Sequence, residues 1–351
     1  MYYINENIKD LYRVKGHEER GGVLRLDMNE NPEGLPGKFF DAVAAKITPE
    51  YLAKYPEKDR LMELLAEHNG LSRENISVTA GSDEAMRLIF QCFGEAGKKL
   101  LTVTPTFEMY DVYAKMFGMR HETVEYREDF TVDPQNILKS IDEETGIVIL
   151  LNPNSPIGSV YDEKAIRTII EKAASVGAVA VVDEAYHYFY RPTYMSLINE
   201  YDNLLVLRTF SKLFSMAGLR IGYAAGEKRL IEYIEKAEST FNVNTVAVLF
   251  AEEAIQNGEL IEELARVERE GRLWLTEQLQ NAGYRTLSLE GNYVLFYPKR
   301  DSGDLIALLK KKNIWVRDYG RGVLKGWIRV STGARACMER FWEALQELDI
   351  V

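Results

Sequence analysis

The stretch LRTFSKLFSMAGLRIGY, residues 207–223, decides the fold. It continues an apolar run, Leu204-Leu205-Val206-Leu207, which reads as a buried strand. Ser211 and Lys212 follow directly, and Arg220 comes eight residues after the lysine. A charged lysine in an apolar setting is costly unless it is paired or loses its charge. Two cations and a serine just past a strand therefore read as a site built where a strand ends.

The same pattern recurs upstream. Residues 178–182 are an apolar strand that runs into Asp183-Glu184-Ala185-Tyr186. Strands at 76–79, 99–103 and 145–151 alternate with helical periodicity at 84–93, 106–116 and 163–175. Alternation of this kind predicts an α/β fold with a mostly parallel sheet, whose sites lie beyond the carboxyl ends of the strands. Amphipathic helices are expected at 38–47 and 57–69, with residues 1–37 irregular. From 243 the character changes: one long helical stretch over 245–282, strands at 293–297, 314–317 and 327–330, and a closing helix over 336–348. The expected division is a large domain, 38–242, and a smaller α+β domain formed by 1–37 together with 243–351.

Composition limits the functions available. A chain of 351 residues can build two cores, and its net charge of −11 disfavours a nucleic-acid partner. No apolar run reaches membrane-spanning length, and the first residues lack a signal-peptide core. The two cysteines form no metal or disulfide pattern; Cys92, in an apolar helical run, reads as a buried thiol. His17, His68 and His121 read as scattered surface histidines without ligand spacing, and His187 as a wall residue, so no metal site is expected. A cytoplasmic location is the default expectation.

The strand ends carry the chemistry. Gly81-Ser82-Asp83 opens a helix, where free N–H groups and the helix dipole suit an anion; taken alone, these three residues read first as a plain helix cap. Ser211 and Arg220 add a hydroxyl and a forked cation suited to phosphate. Neither a P-loop nor a Gly-x-Gly-x-x-Gly fingerprint occurs. Lys212 would be a nucleophile toward carbonyls if desolvated near other cations, and Asp183 could face a pyridine nitrogen.

Taken together, these residues resemble fold-type I pyridoxal-phosphate aminotransferases. Arg208-Thr209-Phe210-Ser211-Lys212 with Ala217-Gly218-Leu219-Arg220 resembles their lysine motif, and Asp183-Glu184-Ala185-Tyr186 their pyridine-binding motif. Asn152-Pro153-Asn154-Ser155-Pro156-Ile157-Gly158 resembles their Asn-Pro loop. Asn29-Glu30-Asn31-Pro32, Tyr55-Pro56-Glu57 and Arg329-Val330-Ser331-Thr332-Gly333 are similar to the histidinol-phosphate aminotransferase subgroup. The resemblance implies pyridoxal 5'-phosphate as cofactor. Lys212 would bind it covalently and shuttle the proton, Asp183 would pair with the ring nitrogen, and Tyr186 would hydrogen-bond the ring oxygen. Phe107 would stack on the ring. Gly81, Ser82, Asp83, Ser211 and Arg220 would hold its phosphate, with Tyr55 reaching in from the other subunit of a homodimer. Arg329 would grip a substrate carboxylate, with Asn31 also at the substrate.

Departures from the family pattern are informative. Ser155 stands where a second loop asparagine is usual, so either Ser155 or Asn154 takes its place. Glu33 stands where a tyrosine is usual, and Phe241-Asn242-Val243-Asn244 resembles threonine-phosphate decarboxylases. Arg317 matches the position that grips a distal phosphate in both groups; a strand-end arginine paired with an acidic neighbour is the alternative. The implied activity is amino transfer between an amino compound, such as histidinol phosphate, and a 2-oxo acid such as 2-oxoglutarate. Decarboxylation of a phosphorylated amino acid is the alternative.

Overall fold

The computed structural model describes residues 2–12 and 19–349, so His17 lies outside the described residues. Among these residues the chain builds three sheets. The first strand, β1 (Leu24–Arg25), lies near the amino end. The next seven form the large sheet: β2 (Ile76–Thr79), β3 (Lys99–Thr104), β4 (Arg120–Glu125), β5 (Thr145–Leu151), β6 (Val179–Asp183), β7 (Leu204–Thr209) and β8 (Gly222–Gly226). Their order is β2-β8-β7-β6-β5-β3-β4. Every neighbouring pair is parallel except those made by β8, which runs antiparallel to β2 and β7. The expected α/β architecture with a mostly parallel sheet is present.

Two strands of this sheet escape a pattern reading for physical reasons. β4 is an edge strand of mostly polar residues, exposed along most of its length. β8 is made largely of glycine and alanine, poor strand formers whose value here is their small size. A Cβ on Gly222 would lie 2.7 Å from both the Arg208 carbonyl oxygen and the Ser82 backbone nitrogen. Only glycine lets β8 press β7 and the helix Ser82–Phe93 this close together.

The remaining strands are β9 (Arg285–Leu287), β10 (Tyr293–Tyr297), β11 (Ile314–Trp315), β12 (Arg317–Asp318) and β13 (Ile328–Ser331). The single strand expected at 314–317 is two strands in two sheets. β11 pairs in parallel with β1, while β12 pairs antiparallel with β13 in the sheet β12-β13-β10-β9. The N-terminal segment is thereby stitched to the small sheet: the Leu26 N–H donates to the Trp315 carbonyl and the Ser331 N–H to the Leu26 carbonyl.

The long helical stretch is also broken. It forms Thr245–Ile255 and Gly258–Asn281, with the Asn257 side chain accepting from the Leu260 N–H at 3.0 Å. Asparagine competes well for such a cap, which is why the chain turns there. Apolar residues from Ala247 to Ala265 sit in the core under the large sheet, whereas Leu275 and Leu279 join the smaller core with Phe296, Ile328 and Phe341. The helix Gly258–Asn281 thus spans both cores. Further helices, Pro134–Ser140 and Lys228–Ala237, flank the large sheet. Cys92, expected buried, is only half-buried and contacts the Tyr233 carbonyl. His121 is not a free surface residue: it bridges Thr102 and Asp111.

Candidate active site

The loops that leave the carboxyl ends of β2, β3, β5, β6 and β7 carry Gly81, Phe107, Ser155, Asp183 and Lys212 respectively. Asp183 is the last residue of β6 and is 4 % exposed. Its carboxylate accepts from the Tyr110 hydroxyl at 2.9 Å and from the Ala185 N–H at 3.0 Å. Burial pushes its pKa up to about 6, while these hydrogen bonds and the Lys212 charge pull it back. A buried acid of this kind gains most from a cationic N–H placed against it.

Lys212 is half-buried, and its Nζ donates to the Met28 carbonyl at 2.9 Å. It lies 5.9 Å above the Tyr186 ring. Arg220 is exposed, in the left-handed region at φ 55°. Within the stretch 207–223, Phe210, Ser211, Leu213 and Phe214 are buried, whereas Lys212 and Arg220 reach the open side. The deeply buried cation of this stretch is Arg208, 4 % exposed and paired with Glu184 at 2.8 Å. That pair braces the floor: Glu184 also accepts from Thr193 and from the Tyr194 N–H. His187 sits against it, its pKa pushed down to about 2 by burial and the Arg208 charge, so it stays neutral.

Gly81, Ser82 and Asp83 come together with Arg220, and Ser211 follows β7, whose Thr209 pairs with the Gly222 packed on Gly81. Gly81 precedes the helix Ser82–Phe93 at φ 82° with no side-chain cap, leaving the first N–H groups of the helix without intrahelical partners. A Cβ at Gly81 would meet the Arg220 Nη2 at 2.9 Å. The guanidinium thus lies over the bare helix start. The Ser211 hydroxyl is held by Thr209 at 3.0 Å, and Asp83 takes the Tyr113 hydroxyl at 2.9 Å. The helix N-terminus and guanidinium at Gly81, with the Ser211 hydroxyl just past β7, fit a phosphate group.

The opposite wall comes from the small sheet. Arg329 is 8 % exposed; its Nη1 reaches the Ser155 hydroxyl at 3.5 Å and its Nη2 the Asp27 carbonyl. Its Nε is buried without a partner among the described residues. Arg317 is the cross-strand partner of Arg329, which places both side chains on one face of the sheet. Arg317 Nη2 is paired with both carboxylate oxygens of Glu108, at 2.9 and 3.0 Å. The acidic partner is thus not the adjacent Asp318 but a residue of the large sheet's loops.

Asn154 and Ser155 have separated tasks. The Asn154 amide is spent on the Thr106 hydroxyl at 2.7 Å and the Pro105 carbonyl at 2.9 Å, while Ser155 faces Arg329. The Asn31 amide donates to Ser215 at 2.6 Å and lines, with Lys212, Glu268, Asn292 and Thr332, a cavity of about 340 Å³. Glu33 accepts from the Ala334 N–H at the start of the helix Arg335–Leu348, a favourable place for an acid. Tyr186 is buried, Phe107 is 42 % exposed against Tyr110, and Tyr55 is 72 % exposed and stacked on Phe241 at 4.1 Å.

Three side chains in the site carried no motif, Tyr110, Tyr293 and Tyr319, and a fourth, Asn29, lay in a quoted motif without an assigned role. Asn29 Nδ2 donates to the Tyr186 hydroxyl oxygen at 2.7 Å, and Tyr293 donates to the Asn154 carbonyl at 3.1 Å. Tyr319 lies near both Arg317 and Arg329, which moderate the upward push of burial on its hydroxyl. Tyrosines scattered over three elements give no local sequence signal; only the fold assembles them.

This constellation is that of the class its fold defines. The family model of aminotransferase class I and II matches residues 22–345, and the chain belongs to that family. It is a pyridoxal-phosphate-dependent aminotransferase. A histidinol-phosphate aminotransferase of Thermoanaerobacter pseudethanolicus is 32% identical over 328 residues, covering 92% of each chain. One from Caldanaerobacter subterraneus is 32% identical over 329 residues, again 92% of each. Among solved structures, the histidinol-phosphate aminotransferase of Clostridium acetobutylicum has the same fold, with TM-score 0.84 at 24% identity over 93% of this chain and 99% of that one. The Sinorhizobium meliloti enzyme, in complex with pyridoxal-5'-phosphate, gives TM-score 0.83 at 24% identity over 92% and 90%. The residues fit the cofactor: the buried Asp183 carboxylate suits its ring nitrogen, and the Gly81 cradle its phosphate.

Proposed function

We propose that this enzyme transfers an amino group between an amine that carries a phosphate, such as histidinol phosphate, and 2-oxoglutarate, giving the matching phosphorylated ketone and glutamate, and the reverse. The observation that carries the reading is the pair of guanidinium groups, Arg317 and Arg329, side by side on β12 and β13. Arg329 would take the anionic group near the reacting carbon, by a two-point fork through its unpartnered Nε and one Nη. Arg317 would take the phosphate of the amine, exchanging its contact with Glu108 for that ligand. The curated relatives with the name histidinol-phosphate aminotransferase support this choice of substrate.

Bound pyridoxal phosphate supplies the electron sink that makes the α-proton removable. The rest is the work of side chains. Lys212 would hold the cofactor and, once released, carry the proton at its Nζ. Asp183 would keep the ring nitrogen protonated, Tyr186 would donate to the ring oxygen, and Phe107 would cover the ring face. Gly81, Ser82, Asp83, Ser211 and Arg220 would bind the phosphate. Ser155, rather than the engaged Asn154, would face the substrate, with Asn31, which lines the cavity beside Lys212, also at the substrate. In this reading the enzyme is a cytoplasmic homodimer with Tyr55 contributed across the interface. The chain divides into a large domain, 38–242, and a small domain, 1–37 with 243–351, bridged by the helix Gly258–Asn281.

The test is steady-state kinetics of Arg317→Ala with both substrates. Loss of a charged contact to phosphate would cost roughly 2–5 kcal/mol in apparent binding. The phosphorylated amine should suffer that loss, and glutamate far less. Equal losses for the two would contradict the assignment.

A further inference from the structure

Asn29 is a buried polar residue, 2 % exposed, held at φ 55° where non-glycine residues are uncommon. Its backbone is fixed from the small sheet: its N–H donates to the Ser331 hydroxyl at 2.8 Å, and its carbonyl accepts from Asn292 Nδ2 at 3.1 Å. Its side chain has one carboxamide between two sets of partners. On one side the Ser331 hydroxyl lies 3.2 Å from Asn29 Oδ1. On the other, Asn29 Nδ2 lies 2.7 Å from the Tyr186 hydroxyl oxygen and 3.3 Å from the Ser155 hydroxyl.

The orientation of this amide follows from proton counting. Ser331 is fully buried, and its oxygen already accepts the Asn29 N–H. Its own proton needs an acceptor, and Asn29 Oδ1 is the one within reach. Turning the amide over would leave that buried proton unsatisfied, a cost of the order of a full desolvation penalty. The NH₂ group therefore faces Tyr186. Because it donates, the Tyr186 oxygen accepts there, and the tyrosine's own proton must point elsewhere, into the cleft over which Lys212 stands.

We propose that Asn29 is a positioning residue: it directs the Tyr186 proton at the cofactor's ring oxygen and ties that hydroxyl to the strand that carries Arg329. Resting on the placement of Tyr186 given above, the proposal adds the residue that sets its polarity. Ser331 and Arg329 are two residues apart on β13, so an anion drawn to Arg329 acts on the same strand that anchors Asn29. The groups around Tyr186 are Lys212, the phenols Tyr110, Tyr293 and Tyr319, and, over the Tyr293 ring, Arg329.

The experiment uses the cofactor-loaded enzyme without substrate and reads the pH midpoint at which its visible absorbance band titrates. A donated hydrogen bond stabilises the ring oxygen as an anion, so weakening the donor raises the midpoint. Asn29→Gly is the cleanest variant, because glycine accepts the positive φ at no steric cost. It should raise the midpoint by roughly half to one pH unit, the scale of one hydrogen bond. Asn29→Asp keeps the size but presents an acceptor, and should raise it as well. Tyr186→Phe should raise it at least as far, and the Asn29→Gly/Tyr186→Phe double variant no further than Tyr186→Phe alone. A wild-type midpoint in Asn29→Gly, or a double-variant shift equal to the sum of the singles, overturns the proposal while leaving the role of Tyr186 intact. An unmoved midpoint in Tyr186→Phe overturns both.

Discussion

Burial holds the Asp183 carboxyl near 6, well above its unfolded value of 3.8. An acid whose folded pKa is raised keeps its proton longer in the folded chain. Its contribution to stability is therefore fully present below about pH 4 and is lost as pH rises through 6. Full ionisation costs the cofactor-free protein on the order of 3 kcal/mol, from a shift of about two units. Melting temperatures of cofactor-free wild type and Asp183→Asn, taken between about pH 4.5 and about pH 7, check this. Wild type should lose stability relative to the variant as pH rises, and parallel curves would contradict the shift. In the proposed reading, the same ionised carboxylate would pair with the ring nitrogen of the bound cofactor. A second residue prediction concerns Glu184→Gln, which strips the buried Arg208 of its counter-charge. Removing one partner of a buried pair costs about 3–5 kcal/mol, readable as a lowered denaturant midpoint.

At the scale of elements, the turn from β2 into the helix Ser82–Phe93 is the sharpest constraint. Gly81→Ala would force a Cβ to within 2.9 Å of Arg220 Nη2 at a positive φ. The account predicts weaker retention of pyridoxal phosphate, by roughly tenfold for about 1–2 kcal/mol of backbone strain, measured as a dissociation constant by fluorescence quenching. Unchanged affinity would place the phosphate elsewhere. The same elements show why part of the fold was legible. β5, β6 and β7 are largely apolar runs and β2 alternates Ile76 and Val78 with Ser77 and Thr79; Asp183 closes β6, and Gly81, Asn152 and Ser211 follow the other three, so pattern and punctuation name both strand and site. β4 is polar at the edge and β8 is glycine and alanine, and neither has a periodicity to read. The break at Asn257 was hidden because both flanking helices keep apolar spacing through it. Lys212, Asp183 and Arg329 stood in local motifs; Asn29's part is visible only when β13 and the loop after β6 are brought together.

At the scale of the molecule, several large apolar side chains stand on the surface. Phe40, Leu52, Tyr55 and Phe241 are each about half exposed or more, and an apolar hollow of about 420 Å³ lies among Phe40, Ile47, Leu219 and Phe250. Patches of this kind mark association surfaces. Sedimentation should give twice the mass of one chain, and Tyr55→Phe should lower cofactor affinity without dissociating the dimer. A monomer with full cofactor affinity would contradict the assignment of Tyr55. Among the described residues no helix is long and apolar enough to cross a membrane.

The measurement that tests the central claim most directly is a visible spectrum of the purified, cofactor-loaded enzyme, taken before and after L-glutamate is added alone. Amino transfer predicts that the lysine-bound band bleaches, that 2-oxoglutarate restores it, and that Lys212→Ala shows neither change. A band that survives glutamate, with carbon dioxide released from a phosphorylated amino acid instead, would contradict it.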